Sequence, residues 1–221
     1  MPIKILLVQN KISALQYFRQ LIPHNALARE YPDEIEVQRI TNDSGEAGID
    51  EMTDEQLGEY QIVYYLRQIS FEQGKIKSTI NRLHRLGCKV ILDIDDYWVL
   101  PKDHYYYDNY IKNNVKEEIE EAISNVDLLI TTTDYFADII IELTNHNRIF
   151  VFPNCIDENE KQFQPVDVFN NRLRFGWIGG VFHREDILIM NESFKRIWGY
   201  GEFSKYYNEW QICCGGFNVN P

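Results

Sequence analysis

The chain lacks most of the features that would fix its class at once. Across 221 residues, no stretch approaches the roughly 18 uninterrupted apolar residues of a membrane span. "MPIKILLVQNKIS" has no small-residue cleavage site behind its short apolar run, so it reads as a first buried strand. Only four cysteines occur, Cys88, Cys155, Cys213 and Cys214, with neither paired zinc spacing nor the spread of a disulfide framework. Reduced, partly buried thiols in a cytoplasmic protein are expected. Basic residues are scarce: 22 Lys and Arg stand against 34 Asp and Glu, for a net charge of −12 and a pI near 4.9. Such a surface repels nucleic acid and anionic lipid, so any bound anion needs a local device to hold it. There is no P-loop, no nucleophile elbow, no Ser/His/Asp or Cys/His set at persuasive positions, no short-period repeat and no low-complexity tract.

What remains is a globular composition, 44% hydrophobic and 25% charged, arranged as apolar runs alternating with helical patterns. Strands are expected at 3–8, 34–40, 61–66, 89–94, 127–132 and 148–154. Helices are expected at 12–29, where Pro23 should kink or shorten the helix, and at 73–87, 112–125 and 134–143. Leu86-Gly87 is a helix stop, and Asp134 is the expected cap of the last helix. Six strands with helices between most of them predict an α/β fold, a Rossmann-like parallel sheet with helices on both faces, over residues 1–156. Residues 157–171 read as a linker, after which the alternation restarts: strand 173–178, a turn, helix 186–198, strand 209–214. Residues 172–221 thus open a second Rossmann-like domain and supply only 50 residues of it.

In open α/β sheets, ligands sit beyond the carboxyl ends of the strands, which selects the loops to inspect. The first loop, "VQNKIS", has no glycine, so its backbone is not shaped for a pyrophosphate. "WIGGVFHRED" instead places Gly179 and Gly180 where a strand turns into a helix, with His183 and Asp186 just beyond. Free N–H groups at a positive helix end would suit a phosphate; a tight turn needing glycine for its backbone angles is the competing reading. "DIDDYW" (93–98) ends the fourth strand with three carboxylates. Period-2 alternation puts Asp93 and Asp95 on one face and Asp96 on the other. A divalent metal is one use for them; bonding loop amides, capping a helix or contacting sugar hydroxyls is the preferred one. The following "YWVLPKDHYYYDNY" offers rings that either stack on sugars or pack a long loop. Arg19 and Arg67 are isolated cations near strand ends, suited to clamping a phosphate or carboxylate or else simply solvated.

In order, "YFRQLIP", "YYLRQ", "KVILDIDDYW", "DLLITTTDYFAD", "VFPNCID" and "RFGWIGGVFHRED" resemble the two-Rossmann-domain (GT-B) glycosyltransferases, particularly bacterial members of the retaining group 1 class. "PNCID" (153–157) matches that family's P-N-x-[ILV]-D. Gly176, Trp177, Gly179, His183 and Asp186 match its G-W/Y-x-G-x-x-x-H-x-x-D. The resemblance implies sugar transfer from a nucleotide sugar, a UDP- or GDP-sugar, to a carbohydrate acceptor, with no obligatory metal. It places Gly179, Gly180, His183 and Asp186 at the donor diphosphate. Asn10, Arg19, Arg67, Asp95, Asp96, Trp98 and Asn154 line the acceptor side, and no catalytic base is implied. The family's later E-x(7)-E motif has no counterpart before residue 221, so weak or absent transfer by this chain alone is expected, with another chain completing the second domain as one option. A non-catalytic module that reuses the half-fold in a larger assembly is the alternative, and a phosphate-binding regulator ranks behind both, because its acid cluster would follow the first strand.

Overall fold

The run IKILLVQ, apolar in nearly every position, forms β1 (Ile3–Gln9) and is buried from Ile5 onward, as a strand covered on both faces should be. The structure, a computed structural model, describes residues 1–9, 14–41, 48–70, 72–165, 173–178, 188–196 and 210–215. The β-branched and aromatic runs that follow give β2 (Ile35–Thr41), β3 (Ile62–Leu66), β4 (Lys89–Asp93), β5 (Leu128–Thr131) and β6 (Ile149–Val151). All pair in parallel in the order β2-β1-β3-β4-β5-β6. The fold is α/β and Rossmann-like, and its order is the 2-1-3-4-5 form of the doubly wound sheet, which changes winding direction between β1 and β3.

Helices α1 (Ala14–Gln16) and α2 (Ile22–Glu30) flank a wider π-helical turn over Tyr17–Leu21. Pro23 explains the turn: it has no N–H to return to the carbonyl of Arg19, and Ile22 instead bonds back five residues to Tyr17. The segment covers the face formed by Ile5, Leu7 and Tyr64. The opposite face, with Val63, Val90, Leu92 and Leu129, packs against α4 (Ile76–Arg85), α6 (Val115–Asn125) and α7 (Asp134–Thr144) through Ile80, Leu83, Ile123 and Ile140. Each fully buried Leu or Ile there contributes about 1.5–3 kcal/mol of transfer free energy.

Helix ends follow local chemistry. Gly87 closes α4 in the left-handed region (φ 87°), as expected of Leu86-Gly87, and Asn145 (φ 57°) closes α7. The cap of α7 is Thr133, whose hydroxyl accepts the Phe136 N–H at 3.1 Å; Asp134 is the first helical residue. Two short helices fall outside the expected set. One is α3 (Asp54–Leu57), with a reciprocal Thr53/Gln56 capping box, and the other is α5 (Tyr107–Lys112), inside the aromatic loop.

The chain divides into Met1–Phe163 and Gln164–Pro221. Residues 157–163 belong to the first unit because the Tyr17 hydroxyl donates to Glu160 and the Phe18 ring meets Phe163 at 6.0 Å. The second unit contains the parallel pair β7 (Leu173–Ile178) and β8 (Trp210–Gly215), with α8 (Asn191–Lys195) between them in sequence.

Candidate functional site

Parallel strands bring their carboxyl ends to one edge, and there β3 and β4 end level, with Leu66 beside Asp93. Strand regularity stops at that point. Arg67 donates its N–H to the Asp93 carbonyl at 3.0 Å and turns into the left-handed region (φ 59°), a conformation a bulky side chain adopts at a cost of order 1 kcal/mol. The turn carries the guanidinium to the β4 loop: Nε and Nη2 reach Asp95 Oδ1 at 3.1 and 3.0 Å, and Nη2 also bonds Asp96. Burial works against the Arg67 charge, but Asp95 and Asp96 outweigh it and hold its pKa above the ordinary value. The Asp95 carboxyl is pushed up by burial and by Asp96, with Arg67 pulling the other way.

The period-2 partition of "DIDDYW" is therefore corrected. Asp95 and Asp96 act together on Arg67, while Asp93 turns to the opposite face, because β4 ends at Asp93 and alternation does not extend beyond it. On that face Asp93 meets Arg19, and both side chains are 0% exposed. Arg19 Nη2 lies 2.8 Å from Oδ1 and Nε 3.0 Å from Oδ2, while the Tyr64 hydroxyl also donates to Oδ2. Arg19 Nη1 donates to the Phe152 carbonyl at 2.6 Å and to Asn154 Oδ1 at 3.2 Å. Burial raises the Asp93 pKa against the pull of Arg19 and Tyr64.

Arg19 therefore clamps an internal carboxylate, and its donors hold β4 and the segment after β6 to the π-helical turn. Trp98 is likewise internal, 2% exposed, with its ring near Phe136 and Nε1 donating to Glu120 at 3.4 Å. Asn154 is exposed, and its Oδ1 is engaged by Arg19. The remaining expected residues, Asn10, Gly179, Gly180, His183 and Asp186, lie outside the described residues. Among the described residues no group of three or more His, Cys, Asp or Glu is placed to hold a metal ion.

Beside Arg67 the loops after β3 and β4 enclose a pocket of about 340 Å³, at the lower end of the range of roughly 300–1,000 Å³ typical of small-molecule sites. Ile76, Val115 and Ile119 contribute its apolar lining, and Gln68, Gln73, Tyr110, Asn113 and Glu118 its polar walls. Gln73 Nε2 donates to the Asn113 carbonyl at 3.1 Å, and Glu118 Oε1 accepts the Gly74 N–H at 2.6 Å, which ties the two loops together. The aromatic loop had put forward Tyr110, but sequence reasoning missed Gln68, Gln73, Asn113 and Glu118. The available signals were turn residues: Gly74 (φ 77°) before α4 and Asn114 (φ 49°) before α6, both left-handed. Tyr105, Tyr106 and Tyr97 of the same loop are exposed, and Tyr105 packs edge-on to Tyr106 at 5.0 Å.

No protein-family model matches the chain, and no curated protein matches it. Among solved structures it is similar to an AraC family transcriptional regulator from Pseudomonas putida, with TM-score 0.38 and 10% identity over 67% of this chain and 76% of that one. It is also similar to a conserved protein from Enterococcus faecalis V583, with TM-score 0.32 and 17% identity over 69% of this chain and 92% of that one. Neither likeness bears on function.

Proposed function

We propose that the chain is the acceptor-side part of a glycosyltransferase, transferring a sugar from a nucleotide-sugar donor to an acceptor held at the carboxyl edge of the six-stranded sheet. The observation that carries this reading is the joint placement of Arg67, Asp95, Asp96 and a polar pocket where β3 and β4 end. A parallel β7-β8 pair follows in the sequence, and its first strand leads into the Gly179-Gly180 stretch. On this reading the first domain binds and orients the acceptor, and the glycine stretch meets the donor diphosphate through its backbone N–H groups. The donor is a substrate and no metal is required.

Calorimetric titration of the chain with UDP and GDP, alongside Gly180→Asp, tests it. Binding that the variant abolishes supports a donor half-site; a folded chain that binds neither nucleotide removes the donor and with it the transfer reading. A second reading is a non-catalytic carbohydrate-binding module, in which the arginine-paired Asp93, Asp95 and Asp96 hold the loops in place around a bound sugar. It is separated from the first by sugar binding without nucleotide binding.

A further inference from the structure

We infer that the pocket beside Arg67 selects a neutral, polyhydroxylated ligand, an unphosphorylated sugar, and discriminates against phosphorylated acceptors, an assignment that rests on reading this domain as the acceptor side. Its hydrogen-bonding chemistry points that way. Gln73 commits its amide N–H to the Asn113 carbonyl, and Asn113 commits its own to the Asn109 carbonyl at 2.9 Å. Each side-chain amide thereby keeps its oxygen and one N–H, an acceptor and a donor, for a ligand. Glu118 gives one oxygen to Gly74 and, as a carboxylate, retains further acceptor capacity. A wall that both donates and accepts is matched by hydroxyls, which do both, whereas an ionised phosphate offers mainly acceptors and leaves the Glu118 oxygen unmatched.

Charge acts in the same direction. The cation lining the pocket, Arg67, has Nε and Nη2 engaged by Asp95 and Asp96, and Glu118 adds a third carboxylate. A phosphate entering here meets Glu118 in the wall and a guanidinium two of whose nitrogens are already bonded to Asp95 and Asp96, and like-charge approach of this kind is costly. The apolar lining of Ile76, Val115 and Ile119, with the Tyr110 ring, supplies the flat nonpolar contact that the C–H faces of a sugar use.

The test is saturation-transfer NMR and calorimetry on the full chain with glucose, galactose and mannose, their 6-phosphates, and inorganic phosphate. Neutral sugars should bind, with the phosphorylated forms weaker by roughly tenfold or more. Tyr110→Trp, which fills the pocket, should weaken neutral sugars by roughly tenfold. Glu118→Gln keeps an oxygen for Gly74 while removing the charge, and should narrow the phosphate penalty by roughly fivefold. Far-ultraviolet dichroism confirms that both variants are folded. Phosphorylated sugars binding as tightly as neutral ones, no sugar binding at all, or sugar binding indifferent to both variants would each overturn the assignment. Glycosylation of a sugar phosphate would sink this inference and leave the transferase reading standing. Neutral-sugar binding by a chain that takes no nucleotide diphosphate would do the reverse.

Discussion

Two arginine–aspartate clusters sit back to back at the end of β4. Arg19 and Asp93 are both 0% exposed, whereas in the other cluster Arg67, Asp95 and Asp96 have side chains 31%, 8% and 70% exposed. The acids stand within four residues of one another and the chemistry is the same, yet the roles diverge. Asp93, the last strand residue, is aimed into the layer under the π-helical turn. Asp95 and Asp96 follow the strand and answer to the backbone of Arg67. A buried ion pair is held by its neighbours and fails badly when half of it is removed, while a partly wet one contributes little to stability and stays available to a ligand.

The strongest way to break that comparison is through the buried member. Arg19→Met leaves Asp93 with the Tyr64 hydroxyl but without a countercharge, and it frees the Phe152 carbonyl and Asn154. A loss of about 3–5 kcal/mol is expected in urea unfolding. Arg19→Met/Asp93→Leu should lose less than Arg19→Met alone, because no buried charge is then stranded. A single variant as stable as the wild type would show that the cluster is no lock.

A pH titration sharpens the same region. His24 packs edge-on to Tyr64 at 4.5 Å and its Nδ1–H donates to the Gln20 carbonyl at 2.8 Å; burial lowers its pKa from 6.5 to about 4. Between those values the unfolded chain binds the proton and the folded chain does not, so stability is present above pH 6.5 and is lost as pH falls toward 4. That lowering corresponds to about 3 kcal/mol at most. Asp93 and Asp95, whose pKa values burial raises, contribute with the opposite sign in the acid range, since the folded state then binds protons more readily. His24→Phe should therefore be less sensitive to pH than the wild type between pH 6.5 and 4, and the difference between the two isolates the histidine.

The strands were legible because their signal is local: a buried parallel strand is a near-continuous apolar run, and β1, β3 and β4 have one, interrupted only at or next to the ends of β1 and β4. The sheet order was not, since nothing in the run IVYYL says that β3 lies beside β1. The same limit governs the site. Arg67, Asp95 and Asp96 could be nominated from strand ends, but that Arg19 would be buried against Asp93, 74 residues away, depended on tertiary packing. Gln73, Asn113 and Glu118 carried no motif at all. They face one pocket because left-handed turns at Gly74 and Asn114 bring two loops together.

The smallest expected effect lies at the open cluster, and its smallness is the point. Arg67→Gly removes an exposed pair with Asp96, contributing about 0–1 kcal/mol, and a largely buried one with Asp95, whose loss costs more, and it relieves a left-handed backbone that glycine adopts freely, recovering about 1 kcal/mol. The two effects oppose, so the unfolding free energy in urea should stay within about 2 kcal/mol of the wild type. Arg67→Lys keeps the charge but loses the planar fork and retains the strained turn, so it should be the less stable of the two. If Arg67→Gly instead unfolds the chain as readily as Arg19→Met does, then both clusters are structural and the pocket beside Arg67 loses its claim to be more than a gap between loops. If it leaves the fold intact, the left-handed arginine is maintained against its own backbone preference by something other than stability, and the proposed ligand site at the ends of β3 and β4 stands.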